Sequence, residues 1–296
     1  MRHSVILANF NGGKYLNEAI RSVLMQQNAE FDLILIDDGS TDSSLEIMRD
    51  FELNYPDKIK ILVHDENKGQ GAGFNSGFSQ ATGELVSFID SDDIWYPHKL
   101  SAVEQTYILN PDAVLLHHNL HLMREAEVAQ ELFMDMMAMG DLCKRLQNTQ
   151  TPLSQWPPFA PTSGLTLPSR VLSKMWPCPE VRFCADMYPT FAAVPMGSII
   201  ADYRALGAYR VHSDNNYHGV DNFDAWNFFY REIVPSLRRY FAEAGLVDVI
   251  EFRDPVGVNQ QGFLGMLLKI ADVSPRMLWR QIRKIARLAK RNRNVC

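Results

Sequence analysis

Apolar positions in the first 117 residues follow two rhythms. Short unbroken runs at Val5–Ala8, Leu33–Ile36, Ile59–Val63, Leu85–Ile89 and Ala113–Leu116 predict buried strands. Between them the spacing becomes helical: residues 14–27 bring Leu16, Ile20, Val23 and Leu24 to one face, and residues 42–51 group Leu45, Met48 and Phe51. Strand and helix alternating at this pitch predict parallel βαβ units with right-handed crossovers. Ligands of such sheets bind beyond the carboxyl ends of the strands.

The polar residues collect at those ends. The first run leads into Asn9-Phe10-Asn11-Gly12-Gly13, the second into Asp37-Asp38-Gly39-Ser40-Thr41-Asp42, the third into Asn67-Lys68-Gly69 and the fourth into Asp90-Ser91-Asp92-Asp93. After residue 117 the pattern loosens into a Met-rich stretch (Met134, Met136, Met137, Met139) and a Pro-rich passage from Thr151 to Pro161, an irregular connection. A second region covers 162–215, and beyond Asp221 the reading is helical. The expected organisation is therefore 1–117, 118–215 and a helical 216–296.

Composition changes this picture only at the C-terminus. The 296 residues are 46% hydrophobic and 22% charged, a globular balance, and the net charge of −6 argues against nucleic acid as a partner. From Pro255 to Cys296, however, nine basic side chains face one acid, Asp272, a local charge of +8 that leaves −14 on residues 1–254. Arg276, Arg280, Arg283, Lys284, Arg287, Lys290 and Arg291 share turns with Leu278, Ile282, Ile285 and Leu288. Such a helix would suit an anionic membrane surface, or equally a partner or the catalytic domain against its apolar stripe. Cys143, Cys178, Cys184 and Cys296 show neither a CxxC pair nor zinc-ligand spacing, which predicts neither a disulfide framework nor a structural metal. The first residues lack the features of a signal peptide, and no apolar run approaches the roughly 20 residues of a membrane span. A cytoplasmic protein, peripheral on the inner membrane face at most, is expected.

Three carboxylates within Asp90, Ser91, Asp92 and Asp93 would repel one another unless a cation or ligand hydroxyls lay among them. Mg²⁺ or Mn²⁺ accepts one or two carboxylates together with phosphate oxygens and water. A solvated turn capping the helix near Pro97 would leave the same trace. Asp37 and Asp38 repeat the situation one strand earlier, where a carboxylate can accept from a base N–H or a ribose hydroxyl, or simply cap a helix.

In this order and spacing the motifs resemble those of the family 2 inverting glycosyltransferases with the GT-A fold. The resemblance runs through Ala8-Asn9-Phe10-Asn11, Asp37-Asp38-Gly39-Ser40-Thr41-Asp42, Asn67-Lys68-Gly69 with Ala72, Asn75 and Gly77, and Ala81-Thr82-Gly83-Glu84. Phe88-Ile89-Asp90-Ser91-Asp92-Asp93 corresponds to the family's Asp-Xaa-Asp motif, and Thr162-Ser163-Gly164-Leu165, Ala185-Asp186-Met187-Tyr188 and Tyr209-Arg210-Val211-His212 resemble its acceptor-side elements. It covers roughly residues 3–215 and implies an α/β fold, a GT-A, Rossmann-like sheet, mostly parallel, flanked by helices.

The resemblance also implies a hexosyltransferase using a divalent cation, Mn²⁺ or Mg²⁺, and a nucleotide-sugar donor, provisionally UDP-linked. The acceptor would be a saccharide or lipid-linked hydroxyl in bacterial surface-polysaccharide assembly. Ala8, Asn11 and Asp38 would line the nucleobase, supported by Asp37, with Asn9, Asn67, Gly69, Asn75 and Ser91 around the donor and Asp90 facing the ribose or sugar. Asp92 would hold the metal, His212 would contact metal or diphosphate, and Asp186 would be the general base. Three departures stand out: Ala8 and Phe10 replace the family's proline and tyrosine, Gly73-Phe74 stand where an arginine is common, and Ala185-Asp186 leaves one carboxylate of a frequent pair. A silent nucleotide-sugar-binding relative in an assembly, or a nucleotidyltransferase, are the rival classes, and an oligomer is possible.

Two further patterns carry less. Glycines 69, 71, 73 and 77 follow the third strand rather than the first, unlike a dinucleotide-binding turn, and predict close backbone approach to the donor. His117, His118 and His121 could form a ligand cluster, but no carboxylate accompanies them.

Overall fold

The computed structural model describes residues 1–124, 127–133, 161–179, 181, 185–213, 215 and 229–245. The Met-rich stretch, most of the Pro-rich passage and the basic segment beyond Pro255 lie outside the described residues.

Strands β1 (Arg2–Asn9), β2 (Glu30–Asp37), β3 (Ile59–Val63) and β4 (Leu85–Phe88) pair in parallel in the order β3-β2-β1-β4. Helices α1 (Gly13–Leu24), α2 (Ser44–Asn54) and α3 (Gln70–Gln80) form the crossovers. The apolar runs become strands because they are covered on both faces: Val5, Leu7, Leu33 and Leu35 pack with Leu16, Ile20 and Val23 of α1 and Met48 and Phe51 of α2. Register then levels the strand ends, since Asn9 pairs with Asp37 and Asp37 with Val63. The loops that follow therefore emerge along one edge.

Beyond β4 the sheet turns mixed. Strand β5 (Ile94–Trp95) is a two-residue stub, β6 (Ala113–Arg124) and β9 (Ser198–Val211) are long, and β7 (Glu127–Leu132) and β8 (Leu165–Pro168) are short. β8 runs antiparallel between β4 and β6, β6 pairs in parallel with β9, and β5 closes the far edge antiparallel to β9. β6 carries the chain through residues 117 and 118 without a break, so the two expected halves share a strand. His117 and His118 are fully buried there, and burial lowers their pKa values to about 4 and about 3. They are neutral strand-interior residues.

Helices α4 (Lys99–Leu109), α5 (Ser169–Met175), α6 (Met187–Ala193) and α7 (Val234–Glu243) complete the described elements, with a π-turn at Phe229–Ile233 leading into α7. The helical reading beyond Asp221 holds at α7. Among the described residues no helix is long and apolar enough to cross a membrane.

Candidate active site

The loops after β1 and β2 are laced into one surface. Ser40 Oγ accepts from Asn9 Nδ2 (3.2 Å) and from the Asn11 backbone N–H (2.9 Å), while Asn11 Oδ1 accepts from Thr41 N (2.8 Å). Asn11 takes a left-handed φ of 53°, a conformation that Asn tolerates better than most residues. Asp42 accepts from Gly13 N across the gap and from Ser44 N at the start of α2, so it caps and cross-links together. Asn9 is buried and supports this surface; Phe10 and Asn11 are exposed on it.

Asp37 and Asp38 are both buried, but their surroundings differ. Asp37 Oδ2 accepts from Ser40 N at 3.2 Å. Asp38 Oδ1 accepts from His64 Nδ1 (2.6 Å) and Lys68 N (3.0 Å), and Oδ2 from Gly69 N (2.8 Å). A carboxylate offers about four acceptor directions, so three donors leave one for a ligand. Because a carboxylate only accepts, His64 Nδ1 carries the proton, and Nε2 lies within hydrogen-bond distance of the Ser76 hydroxyl at 2.7 Å. The loop can approach this closely only over Gly39, which has φ +74° and whose absent Cβ would sit 2.6 Å from the Glu66 carbonyl carbon. Asn67 and Gly69 are held in that loop, with Gly69 at φ +94°.

The acidic turn after β4 divides by function. Asp93 is fully buried, accepting from Ser163 Oγ (2.6 Å) and from Arg210 N on β9 (2.8 Å). Ser163 also accepts from Asp90 N at 3.0 Å, and Arg210 Nε donates to Asp92 O at 2.7 Å. The Arg210 guanidinium continues to Glu18 Oε2 (2.7 Å) and lies 4.5 Å from the centroid of the Tyr15 ring. This scaffold leaves the carboxylates of Asp90 and Asp92 for other work. Nor do they cap the next helix, since α4 begins after His98 with no side-chain cap bond.

Asp92 Oδ2 meets His212 Nε2 at 2.9 Å, with Asn215 Nδ2 3.4 Å from the same oxygen and the Tyr15 ring 4.8 Å from the imidazole. The Asp90 carboxyl is raised well above the usual range, first by burial and then by the charges of Asp92 and Asp186. Asp186 stands just ahead of α6 at its N-cap, where the backbone N–H of Met187 and its own favour the ionised carboxylate. Burial raises its pKa to about 6, opposed by a hydrogen bond to Thr162, which also bonds Asp90. Tyr209 on β9 is pushed up, first by burial and then by the fields of Asp93, Asp90, Asp92 and Asp186.

The glycines of α3 sit in close contacts. A Cβ at Gly71 would lie 2.0 Å from Pro179 O, at Gly73 2.9 Å from the Ala8 Cβ, and at Gly77 2.7 Å from an Ile6 methyl. At these three positions the protein's own chain takes the space a Cβ would need. Asn75 is likewise occupied, its amide donating to Cys178 O (3.0 Å) and accepting from Cys178 N (2.8 Å). Phe74, at the position of the family's arginine, is buried against Phe88 with ring centroids 4.7 Å apart. Ser91 lies beside Gly12, whose Cβ would meet its hydroxyl at 2.7 Å.

Sequence reasoning missed Gln70, His64 and the roles of Thr162, Ser163 and Arg210. The last three lie in motifs visible in the chain, but nothing local shows that they cross-brace the acids. His121 belongs elsewhere, bonded through Nδ1 to Tyr96 Oη at 2.8 Å. Among the described residues no group of three or more His, Cys, Asp or Glu side chains is disposed to hold a metal alone. Asp92 and His212 do fit an octahedral cation that takes most of its ligands from phosphate and water, and the mutual repulsion of Asp90, Asp92 and Asp186 is what such a cation relieves.

A mixed α/β sheet with polar loops along one edge and an acidic turn after the fourth parallel strand defines the GT-A class. The fold resembles S. aureus TarS in complex with UDP-GlcNAc (TM-score 0.56, 18% identical, covering 94% of this chain and 83% of that one). It also resembles the mannosyltransferase PcManGT from Pyrobaculum calidifontis in complex with GDP-Man and Mn²⁺ (TM-score 0.56, 15% identical, covering 97% and 80%). The sequence model of glycosyl transferase family 2 matches residues 4–142. The uncharacterized glycosyltransferase alr2836 of Nostoc sp. is 36% identical over 221 residues, 73% of this chain and 67% of that protein. The chain belongs to glycosyl transferase family 2. It spans 46% and 35% of the lengths of two other curated glycosyltransferases that it matches.

Proposed function

We propose that the protein transfers a sugar from a nucleotide diphosphate, with UDP the favoured carrier, to a hydroxyl of a saccharide or lipid-linked acceptor in surface-polysaccharide assembly, inverting the anomeric centre. The observation that carries the reading is Asp186: a single carboxylate with pKa about 6, at the start of α6, within the field of Asp90 beside the Asp92–His212 pair. A general base works best when its pKa lies near the working pH.

The base would lie on the surface built by Ala8, Phe10 and Asn11, with its N–H on the remaining acceptor direction of Asp38. Asn9, Asp37, Asn67, Gly69 and Ser91 hold those loops, Asn75 braces the segment behind them, and Asp90 orients a ribose or sugar hydroxyl. Asp92 and His212 would hold Mn²⁺ or Mg²⁺, which when bound supplies positive charge to the leaving diphosphate. Asp186 takes the acceptor hydroxyl's proton as that oxygen attacks the anomeric carbon. One displacement on one face gives inversion. The structural neighbours named with UDP-GlcNAc and with GDP-Man and Mn²⁺ support this class of donor and cation.

The test is Asp186→Asn, expected to lower transfer by roughly 10²- to 10⁴-fold, the usual contribution of a positioned base, while donor affinity holds. Near-normal transfer would place the base elsewhere. For the basic C-terminal segment we propose peripheral contact with anionic membrane, tested by salt-sensitive liposome flotation with and without residues 274–296; equal flotation would favour packing against protein.

A further inference from the structure

We infer that Gln70 ties the position of the base to that of the donor-side acid, an inference that rests on Asp186 being the base. Gln70 is the first residue of α3, and the two ends of its amide face different parts of the site. Nε2 donates to Asp90 Oδ1 at 3.4 Å, and Oε1 accepts from Ala185 N at 2.9 Å. Ala185 is fully buried and immediately precedes Asp186. An uncharged amide offers a donor to a carboxylate and an acceptor to a backbone N–H at once.

Gln70 is one of three α3 residues bonded to described positions ahead of Asp186. Gly71 N donates to Val181 O at 2.9 Å, and Asn75 makes two bonds to the Cys178 backbone. Gly71 lets the helix approach that closely, a Cβ there falling 2.0 Å from Pro179 O. Gln70 adds the bond at Ala185, next to Asp186. Gln70 is thus a positioning residue: it touches Asp90, which faces the donor, and the residue next to the base. Movement of either is transmitted to the other through one rigid amide. Displacement of about 1 Å at a reacting centre can cost on the order of 100-fold in rate, so the link bears on turnover more than on binding.

The test uses the full chain with Mn²⁺ and UDP-GlcNAc, UDP-glucose or GDP-mannose as probe. Donor hydrolysis needs no acceptor: the bond from the anomeric carbon to the diphosphate oxygen breaks, a bond to water oxygen forms, and the water proton goes to Asp186. Gln70→Met, which removes both bonds, is expected to lower kcat about 10- to 100-fold with nucleotide affinity unchanged, and to speed hydrogen exchange at the Ala185 amide. Gln70→Glu keeps the acceptor for that amide but loses the donor to Asp90 and sets a like charge beside it, so it is expected to restore the amide's protection without restoring kcat. Unchanged kcat in Gln70→Met, or wild-type kcat in Gln70→Glu, would overturn the coupling while Asp186→Asn still lowered turnover. Normal turnover by Asp186→Asn would instead remove the base assignment, and the coupling with it.

Discussion

Asp92 Oδ2 and His212 Nε2 lie 2.9 Å apart although 120 residues separate them, joined by β9 folding back over the acidic turn. Arg210 makes the meeting specific: its backbone N–H binds Asp93 and its guanidinium the Asp92 carbonyl, two positions before the histidine. Asp92→Asn is expected to abolish metal-dependent turnover with the fold intact. His212→Ala should raise the Mn²⁺ concentration for half-maximal activity on the order of 10- to 100-fold, the effect typical of losing a partner at a metal site. A Mn²⁺ titration of activity unchanged in either variant would remove that residue from the cation's surroundings.

Asp186 sets a pH dependence. A base must be unprotonated, so turnover should fall as pH drops through about 6, its pKa in the folded chain. The pH profile of kcat/KM in the wild type, which reports groups of the free enzyme, checks this, and an acid limb near pH 4, where an ordinary carboxyl titrates, would contradict it.

The same shift has a sign for stability. The folded state holds the Asp186 proton more tightly than the unfolded chain, about 6 against 3.8, so ionising it weakens the fold. The penalty is absent below pH 4, grows between pH 4 and 6 and is full above. Asp186→Asn should therefore melt at higher temperature than the wild type at pH 7.5, with the difference vanishing near pH 3.5. A lower melting temperature for the variant at pH 7.5 would mean that the ionised carboxylate is stabilised instead.

Gly39→Ala separates conformational cost from chemistry. A left-handed φ costs a residue with a Cβ about 1–2 kcal/mol, and contact with the backbone of Glu66 adds to it. A melting temperature lower by several degrees is expected, with weaker nucleotide binding because Asn67 and Gly69 shift with the loop; an unchanged melting temperature would show that the turn relaxes freely.

His64→Ala probes the support of Asp38. Removing a buried donor to a carboxylate costs roughly 1–3 kcal/mol. Because the carboxylate sits beneath the base surface, nucleotide affinity should fall as well, measured by calorimetry. Loss of stability with affinity intact would make His64 a fold residue alone.

The parallel half of the fold was legible because its signals are local. Runs such as Ile59–Val63 match the strand to the residue, and Leu16, Ile20 and Val23 name the buried face of α1. The far half was not: β6 hides His117 and His118 in its interior, and β5 is two residues long. The acids were legible as clusters at strand ends, but not their division of labour. That Asp93 braces while Asp90 and Asp92 face outward depends on Ser163 and Arg210, which are 70 and 117 residues from Asp93 in the chain. The α3 glycines were legible only as marks of close approach, and the fold adds that Pro179, Ala8 and Ile6 come close to Gly71, Gly73 and Gly77.

The most direct measurement is calorimetric titration of UDP, GDP and dTDP into the full chain, each with Mn²⁺ and with EDTA. Micromolar binding of one nucleotide, UDP first, that is lost with EDTA and in Asp92→Asn is the expected result. No binding of any of the three under either condition would contradict a donor site at these strand ends.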